Sequence, residues 1–86
     1  MKERNYSLTV AGNGDGKTEL LGSVVSNAAN LTSMFITREG MITFYFRYRG
    51  DARLVLGRVK KALSCEQNTP DGITYQGCSA VVAKTK

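Results

Sequence analysis

Hydrophobic and polar side chains alternate most regularly between Thr37 and Gly50. Because successive residues of a β-strand point to opposite faces of a sheet, this alternation predicts a strand with one buried and one exposed face. The exposed face would be polar and basic with one aromatic ring, so it is either the solvated side of a sheet or a surface that binds a partner. The side chains expected on the buried face are Ile42, Phe44, Phe46 and Tyr48, and those expected on the exposed face are Thr43, Tyr45, Arg47 and Arg49.

The first part of the chain predicts a strand, a loop and a helix. Tyr6 to Ala11 alternates as a half-buried strand does, and the glycine-rich segment Gly12 to Gly16 ends it. From Thr18 to Asn30 the apolar residues recur in pairs four apart, which predicts an amphipathic helix that Asp15 or Thr18 would cap. Poor helix formers in this segment leave a strand from Leu20 to Ser26 as the alternative.

The middle of the chain predicts a hairpin and a second helix. Thr32 to Thr37 is short and β-branched, and the turn Arg38-Glu39-Gly40 would join it to the central strand as an antiparallel pair. The strand ends at Gly50. Apolar residues from Ala52 to Leu63 then fall at helical spacing, and Asp51 is a favourable N-cap for that helix.

The last part of the chain predicts a turn and a final strand. Glu66 to Gly72 is polar and contains the turn sequence Thr-Pro-Asp-Gly, and Ile73 to Ala83 is typical of a strand that Gln76-Gly77 interrupts with a bulge or a hairpin turn. The order is therefore βαββαβ in one domain, residues 1–86. This order predicts an α+β fold of the ferredoxin-like type, a four-stranded antiparallel sheet with two helices on one face and the other face open.

The charge composition favours an anionic partner. Twelve Lys and Arg against seven Asp and Glu give a formal charge of +5 and a pI near 9.5. Such a charge suits nucleic acid, an acidic protein or a phosphorylated ligand, although many small basic proteins bind no anion specifically. The N-terminal segment is charged, and no apolar run approaches the roughly 20 residues that span a bilayer, so we expect a cytoplasmic protein without a membrane partner.

Few residues are suited to catalysis or to metal binding. The chain has no histidine, and Cys65 and Cys78 lack the Cys-x-x-Cys spacing of zinc sites. We therefore expect no metal, no cofactor and no Ser-His or Cys-His pair, and a function that is not enzymatic. Free thiols are favoured over a disulfide because cytosolic thiols stay reduced, but the spacing leaves both open.

Part of the chain resembles an ACT regulatory domain. The resemblance consists of Leu8-Thr9-Val10-Ala11-Gly12-Asn13-Gly14, a helix, Ala29-Asn30-Leu31 before the second strand, and the hairpin Met34 to Phe46. In that family the loop after the first strand and the start of the first helix bind an amino acid at a dimer interface. The resemblance therefore implies a dimer with a small-ligand site at Asn13, Gly14, Asp15 and Asn30.

The chain also looks like an RNA-recognition motif. Leu8 to Asn13 lies where that family has its first-strand hexapeptide, and Arg38 to Phe46 lies where it has its third-strand octapeptide. In that family, exposed aromatic residues on these two strands stack on bases. Here only Tyr45 offers a ring, and Arg47 and Arg49 on the same side would add charge and planar stacking surfaces.

Three hypotheses on function follow from these patterns. The first is a non-enzymatic binding module, a possible homodimer, whose basic sheet face engages nucleic acid, single-stranded RNA or DNA rather than duplex. The alternative is an ACT-like dimer that binds a small ligand at the Gly12 to Gly16 loop. The third is a small inhibitor or adaptor, such as a phage protein, that docks on an acidic protein. The residues expected to bind nucleic acid are Tyr45, Arg47, Arg49, Arg53 and Arg58.

Overall fold

A computed structural model describes residues 5–29, 31, 34–65 and 67–85 and shows an α+β fold. Two helices and an antiparallel sheet were expected, and both are confirmed. The elements in chain order are β1 (Tyr6–Gly12), α1 (Lys17–Ala28), β2 (Met34–Arg38), β3 (Met41–Phe46), α2 (Arg49–Ala62), β4 (Gln67–Thr69), β5 (Gly72–Tyr75) and β6 (Cys78–Lys84). The alternative of a strand at Leu20 to Ser26 is wrong, because that segment lies inside α1.

The sheet has the strand order β2-β3-β1-β6-β5-β4, and every neighbouring pair is antiparallel. The predicted number of four strands is therefore wrong. The polar segment Glu66 to Gly72 contributes β4, and Gln76-Gly77 is a hairpin turn that divides the last predicted strand into β5 and β6. Both turn residues have positive φ, 46° and 85°, as a two-residue hairpin turn of this kind requires.

The core lies between the two helices and one face of the sheet. Both helices contact β1, and α2 also contacts α1, β3, β5 and β6. Side chains two apart on the strands point into this layer, which is why the alternating pattern predicted much of it. Its largest fully buried members are Phe46, Leu8, Leu20, Leu56, Val10, Val24, Val55 and Val59.

The start of each helix differs from the prediction. Helix α2 begins at Arg49, with Tyr48 as its N-cap residue, so the prediction that Asp51 caps it is wrong. Asp51 instead lies in the first turn, where a carboxylate still interacts favourably with the positive end of the helix dipole. Helix α1 has Gly16 at its N-cap and no side-chain cap, so neither Asp15 nor Thr18 caps it.

Neither cysteine is in a disulfide, as expected, and Cys78 is buried while Cys65 is half-buried. Cys78 opens β6 and belongs to the core. Within the described ranges of the chain, neither helix has the length and apolar composition that crossing a membrane would require.

Candidate functional site

Three strands and a helix meet at one end of the sheet. Tyr6, at the start of β1, pairs with Phe46 at the end of β3 and with Lys84 at the end of β6. Since α2 begins three residues after Phe46, its first turn lies at this same end. We call this region the basic end and define it by its exposed or half-buried side chains: Tyr6, Arg47, Tyr48, Arg49, Arg53, Asp71 and Lys84.

Two arginines of the basic end lie over tyrosine rings. The Cζ atom of Arg47 is 5.4 Å from the ring centroid of Tyr48, and the Cζ atom of Arg49 is 5.0 Å from that of Tyr6. A guanidinium at this distance is attracted to the face of the ring and is weakly hydrated, so each pair offers a planar cationic surface. Tyr48 is 57% exposed, and both arginines are exposed, so the surface is open to a ligand.

The polypeptide around these pairs is held by hydrogen bonds to backbone carbonyl oxygens. The side-chain amide of Asn5 donates to the carbonyl oxygen of Arg47 at 3.3 Å, and the amide of Thr85 donates to the carbonyl oxygen of Asn5 at 3.0 Å. These bonds tie the start of β1 to the ends of β3 and β6. The arginine and tyrosine side chains therefore project from a backbone whose position is fixed independently of them.

One ion pair borders the basic end. Arg53 donates to both carboxylate oxygens of Asp71, through Nε at 2.8 Å and Nη2 at 3.0 Å. The hydrogen bonds from Arg53 hold the pKa of Asp71 below its usual value, and the charges of Arg49 and Lys60 lower it further. The same pair raises the pKa of Arg53. Arg53 is therefore the main partner of Asp71, and the charge of Arg49 interacts with the same carboxylate.

The prediction of a basic sheet face is corrected by where β3 ends. The strand stops at Phe46, so Arg47 lies just beyond it and Arg49 belongs to α2. Tyr45 stays on the strand, half-buried and paired with Ser7. The structure therefore brings Arg47 and Arg49 to the end of the sheet and not onto its face beside Tyr45.

The two predicted arginines within α2, Arg53 and Arg58, lie in different places. Arg53 reaches the basic end through Asp71. Arg58 is exposed five residues further along α2, which at 3.6 residues per turn places it well around the helix from Arg53. The structure therefore brings Arg47, Arg49 and Arg53 together and leaves Arg58 apart.

Sequence reasoning missed both tyrosines of the basic end. Tyr48 was expected in the core because it continues the alternation of β3, and this prediction is wrong because the chain leaves the sheet before it. Tyr6 was read only as part of a half-buried strand. The triplet Arg47-Tyr48-Arg49, an aromatic residue between two cations next to a glycine, is the local signal that could have identified an exposed ring.

The glycine-rich loop lies at the opposite end of the sheet, against the β5–β6 turn. A Cβ added to Gly14 would lie 1.9 Å from the carbonyl oxygen of Gln76, and one added to Gly16 would lie 2.7 Å from the ring of Tyr75. Gly12 has a φ of 118°, and a Cβ added there would lie 2.6 Å from the carbonyl oxygen of Gly77. Close packing of loop and turn thus accounts for the three glycines. We call this region the loop end.

The alternative ligand site falls on this loop. Asn13 and Asp15 are exposed there, Gly14 is half-buried, and Asn30 lies outside the described residues. A shallow depression of about 440 Å³ adjoins the loop and is lined by Ala11, Gly12, Thr74, Gly77, Cys78 and Ser79. Ligand binding by the loop stays a prediction.

No group of three or more His, Cys, Asp or Glu side chains is arranged to hold a metal ion in the described parts of the chain.

Comparison of the sequence with protein-family models found no match, and neither did comparison with curated proteins or with solved structures.

Proposed function

We propose that this chain is a non-enzymatic module that binds single-stranded nucleic acid at its basic end. The observation that carries the proposal is the pairing of Arg47 with Tyr48 and of Arg49 with Tyr6 at one end of the sheet, with both arginines exposed. We further propose that the fold is an extended ferredoxin-like plait. Strands β2, β3, β1 and β6 have the order and directions of that plait, and the β4–β5 hairpin adds two strands at the β6 side.

The chemistry of the basic end suits a nucleic-acid strand. Exposed rings and guanidinium planes stack on bases, at roughly 1–3 kcal/mol per base, without selecting a sequence. The arginine charges also attract phosphates, and Lys84, exposed at the end of β6, adds a third cation beside Tyr6. The site therefore combines stacking with backbone neutralisation, the two contributions that single-strand binding needs.

A single strand fits this surface better than a duplex. Bases in a duplex are already stacked on one another, so an exposed ring such as Tyr48 gains a stacking partner only from an unpaired base. The charge also suits a partner that is densely anionic, since the chain carries +5 overall.

Fluorescence anisotropy of a labelled single-stranded oligonucleotide tests the proposal. The test variant is Arg47→Ala with Arg49→Ala, and the matched control is Arg38→Ala with Lys61→Ala, which removes the same charge from exposed residues away from the basic end. We expect the test variant to bind much more weakly than the control. Because each phosphate contact contributes about −0.7 to the slope of log K against log salt, the slope should fall by about 1.4 in the test variant.

The result that would contradict the proposal is equally definite. If the two double variants lose the same affinity and the same salt dependence, binding reflects only the net charge of the protein. If the wild type binds no oligonucleotide at physiological salt, the proposal is wrong.

A further inference from the structure

The sheet face opposite the helices, which we call the open face, carries a single charged side chain among its described residues, Arg38 at the rim. Arg38 ends β2 and pairs with Met41, and directly opposed residues of an antiparallel pair point to the same face. Alternation along the other strands places there Ser7, Thr9, Ala11, Met41, Thr43, Tyr45, Gly72, Thr74, Ser79, Val81 and Ala83. Met41 and Val81 are 41% and 46% exposed, so the face is not covered by this chain.

This low density of charge distinguishes the open face from the rest of the surface. The chain carries twelve Lys and Arg residues, and those described lie at the ends of the sheet and on the helices. Two copies at +5 each repel one another, and this repulsion is smallest when they meet at a face with few charges. Depletion of charged residues, with Tyr and Met present, is also the composition of the buried centre of protein interfaces.

The open face has the size of a small dimer interface. Its strands differ in length, from three to seven residues, and at a rise of about 3.3 Å and a spacing of about 4.8 Å they outline a face on the order of 500 Å². Stable interfaces bury about 800 Å² per partner, and transient ones bury less. Face-to-face contact of two such sheets therefore corresponds to a weak dimer.

The two halves of the open face have complementary shapes. Strand β3 carries the large side chains Met41 and Tyr45, whereas β6 carries Ser79 and Ala83 at the corresponding levels of the sheet. Beside β6 lies a depression of about 170 Å³, lined by Thr69, Gly72, Ile73, Thr74, Ser79 and Val81. A two-fold axis parallel to β1 would place β3 of each copy over β6 of the other, with large residues against small ones.

We propose that a second copy of this chain docks on the open face, about a two-fold axis parallel to β1. In this arrangement the two basic ends lie at the same end of the dimer, because the axis runs along the strands. The dimer would then offer two stacking surfaces side by side, and a single strand that spans both gains affinity from the second contact. The docking itself does not depend on nucleic-acid binding.

Analytical ultracentrifugation of matched valine variants tests the docking. Val81→Lys introduces a charge on the open face, whereas Val25→Lys introduces the same charge on α1 at nearly equal exposure, 48% against 46%. We expect the wild type and Val25→Lys to form dimers and Val81→Lys to be monomeric. Circular dichroism confirms that the monomeric variant is folded. A monomeric wild type, or a dimer that Val81→Lys leaves intact, overturns the proposal.

Cross-linking tests the axis. Thr43, Thr9 and Val81 lie in one row across β3, β1 and β6. In a Cys65→Ser background, Thr43→Cys protein mixed with Val81→Cys protein should be joined by a short bis-maleimide, while each protein alone should not. Cross-linking of each protein with itself would instead show an axis perpendicular to β1 and overturn the arrangement proposed here.

Discussion

The two ends of the sheet are built in opposite ways. At the loop end, backbone meets backbone, and Gly14 lies so close to Gln76 that no side chain fits between them. At the basic end, long side chains project from a backbone that is fixed by the strands, and Arg47, Tyr48 and Arg49 are all exposed. Glycine and charge are both common marks of binding sites. Here packing accounts for the glycines, whereas the charged side chains project from the surface.

This difference has a consequence for mutation. The glycines of the loop end tolerate no side chain, because a Cβ at Gly14 or Gly16 must move the carbonyl group of Gln76 or the ring of Tyr75. The basic end has more freedom, because its exposed side chains Arg47, Tyr48 and Arg49 can be shortened without opening the core. Substitutions at the loop end should therefore affect the free energy of unfolding, and those at the basic end should affect binding.

The largest effect is expected at Gly14. Gly14→Ala should lower the free energy of unfolding by about 3 kcal/mol or more, because the new methyl group overlaps a backbone oxygen. The matched control is Gly57→Ala in α2, where a Cβ meets nothing within 4 Å and alanine should raise the free energy by about 0.5–1 kcal/mol. Urea denaturation measures both. Equal effects at the two positions would show that loop and turn are not in close contact.

A smaller effect is expected at Tyr48, and on binding instead of folding. Tyr48→Ala should weaken oligonucleotide binding by about 1–3 kcal/mol, the contribution of one stacked base, because the ring is 57% exposed. The free energy of unfolding should change by no more than about 0.5 kcal/mol. Tyr48 caps α2 through its backbone carbonyl oxygen, which accepts from the amides of Asp51 and Ala52 and is kept in the variant. Tyr48→Phe keeps the ring and should keep the affinity. If phenylalanine is as weak as alanine, stacking is not the interaction.

The smallest effect is expected for the exposed ion pair of Arg53 and Asp71. Because the pKa of Asp71 is lowered in the folded protein, the pair stabilises the fold above about pH 4 and loses this contribution as pH falls through the lowered pKa. Thermal unfolding of wild type and Asp71→Asn should therefore differ slightly at neutral pH and converge in strong acid. A difference that grows in acid would contradict this assignment.

The strands and helices at the centre of the fold followed from local pattern. The alternation in β1 and β3 and the helical spacing in α2 depend on the side chains of each segment alone, and the burial of Leu8, Phe44 and Val55 agrees with them. Strand β4 could not be found in this way. Its three residues, Gln67–Thr69, are polar and extended because they pair with β5, a contact that the segment itself does not encode.

The candidate site was predictable in composition but not in place. Arg47, Arg49 and Arg53 were expected to bind, and they do lie together. Their neighbours were not foreseen, because alternation continues past Phe46 in the sequence while the backbone turns into α2 at Tyr48. A shift of two or three residues at a strand end is enough to move a side chain from a sheet face to its edge.

The sequence by itself determined the α+β class, the two helices, the central antiparallel strands and the excess of positive charge, because periodicity and composition act locally or as sums. Only the tertiary structure decided that the glycine loop packs against the β5–β6 turn, that the open face carries few charges, and that Arg49 of α2 lies over the ring of Tyr6 in β1. Those features depend on which distant segments become neighbours, and that is set by packing of the whole chain.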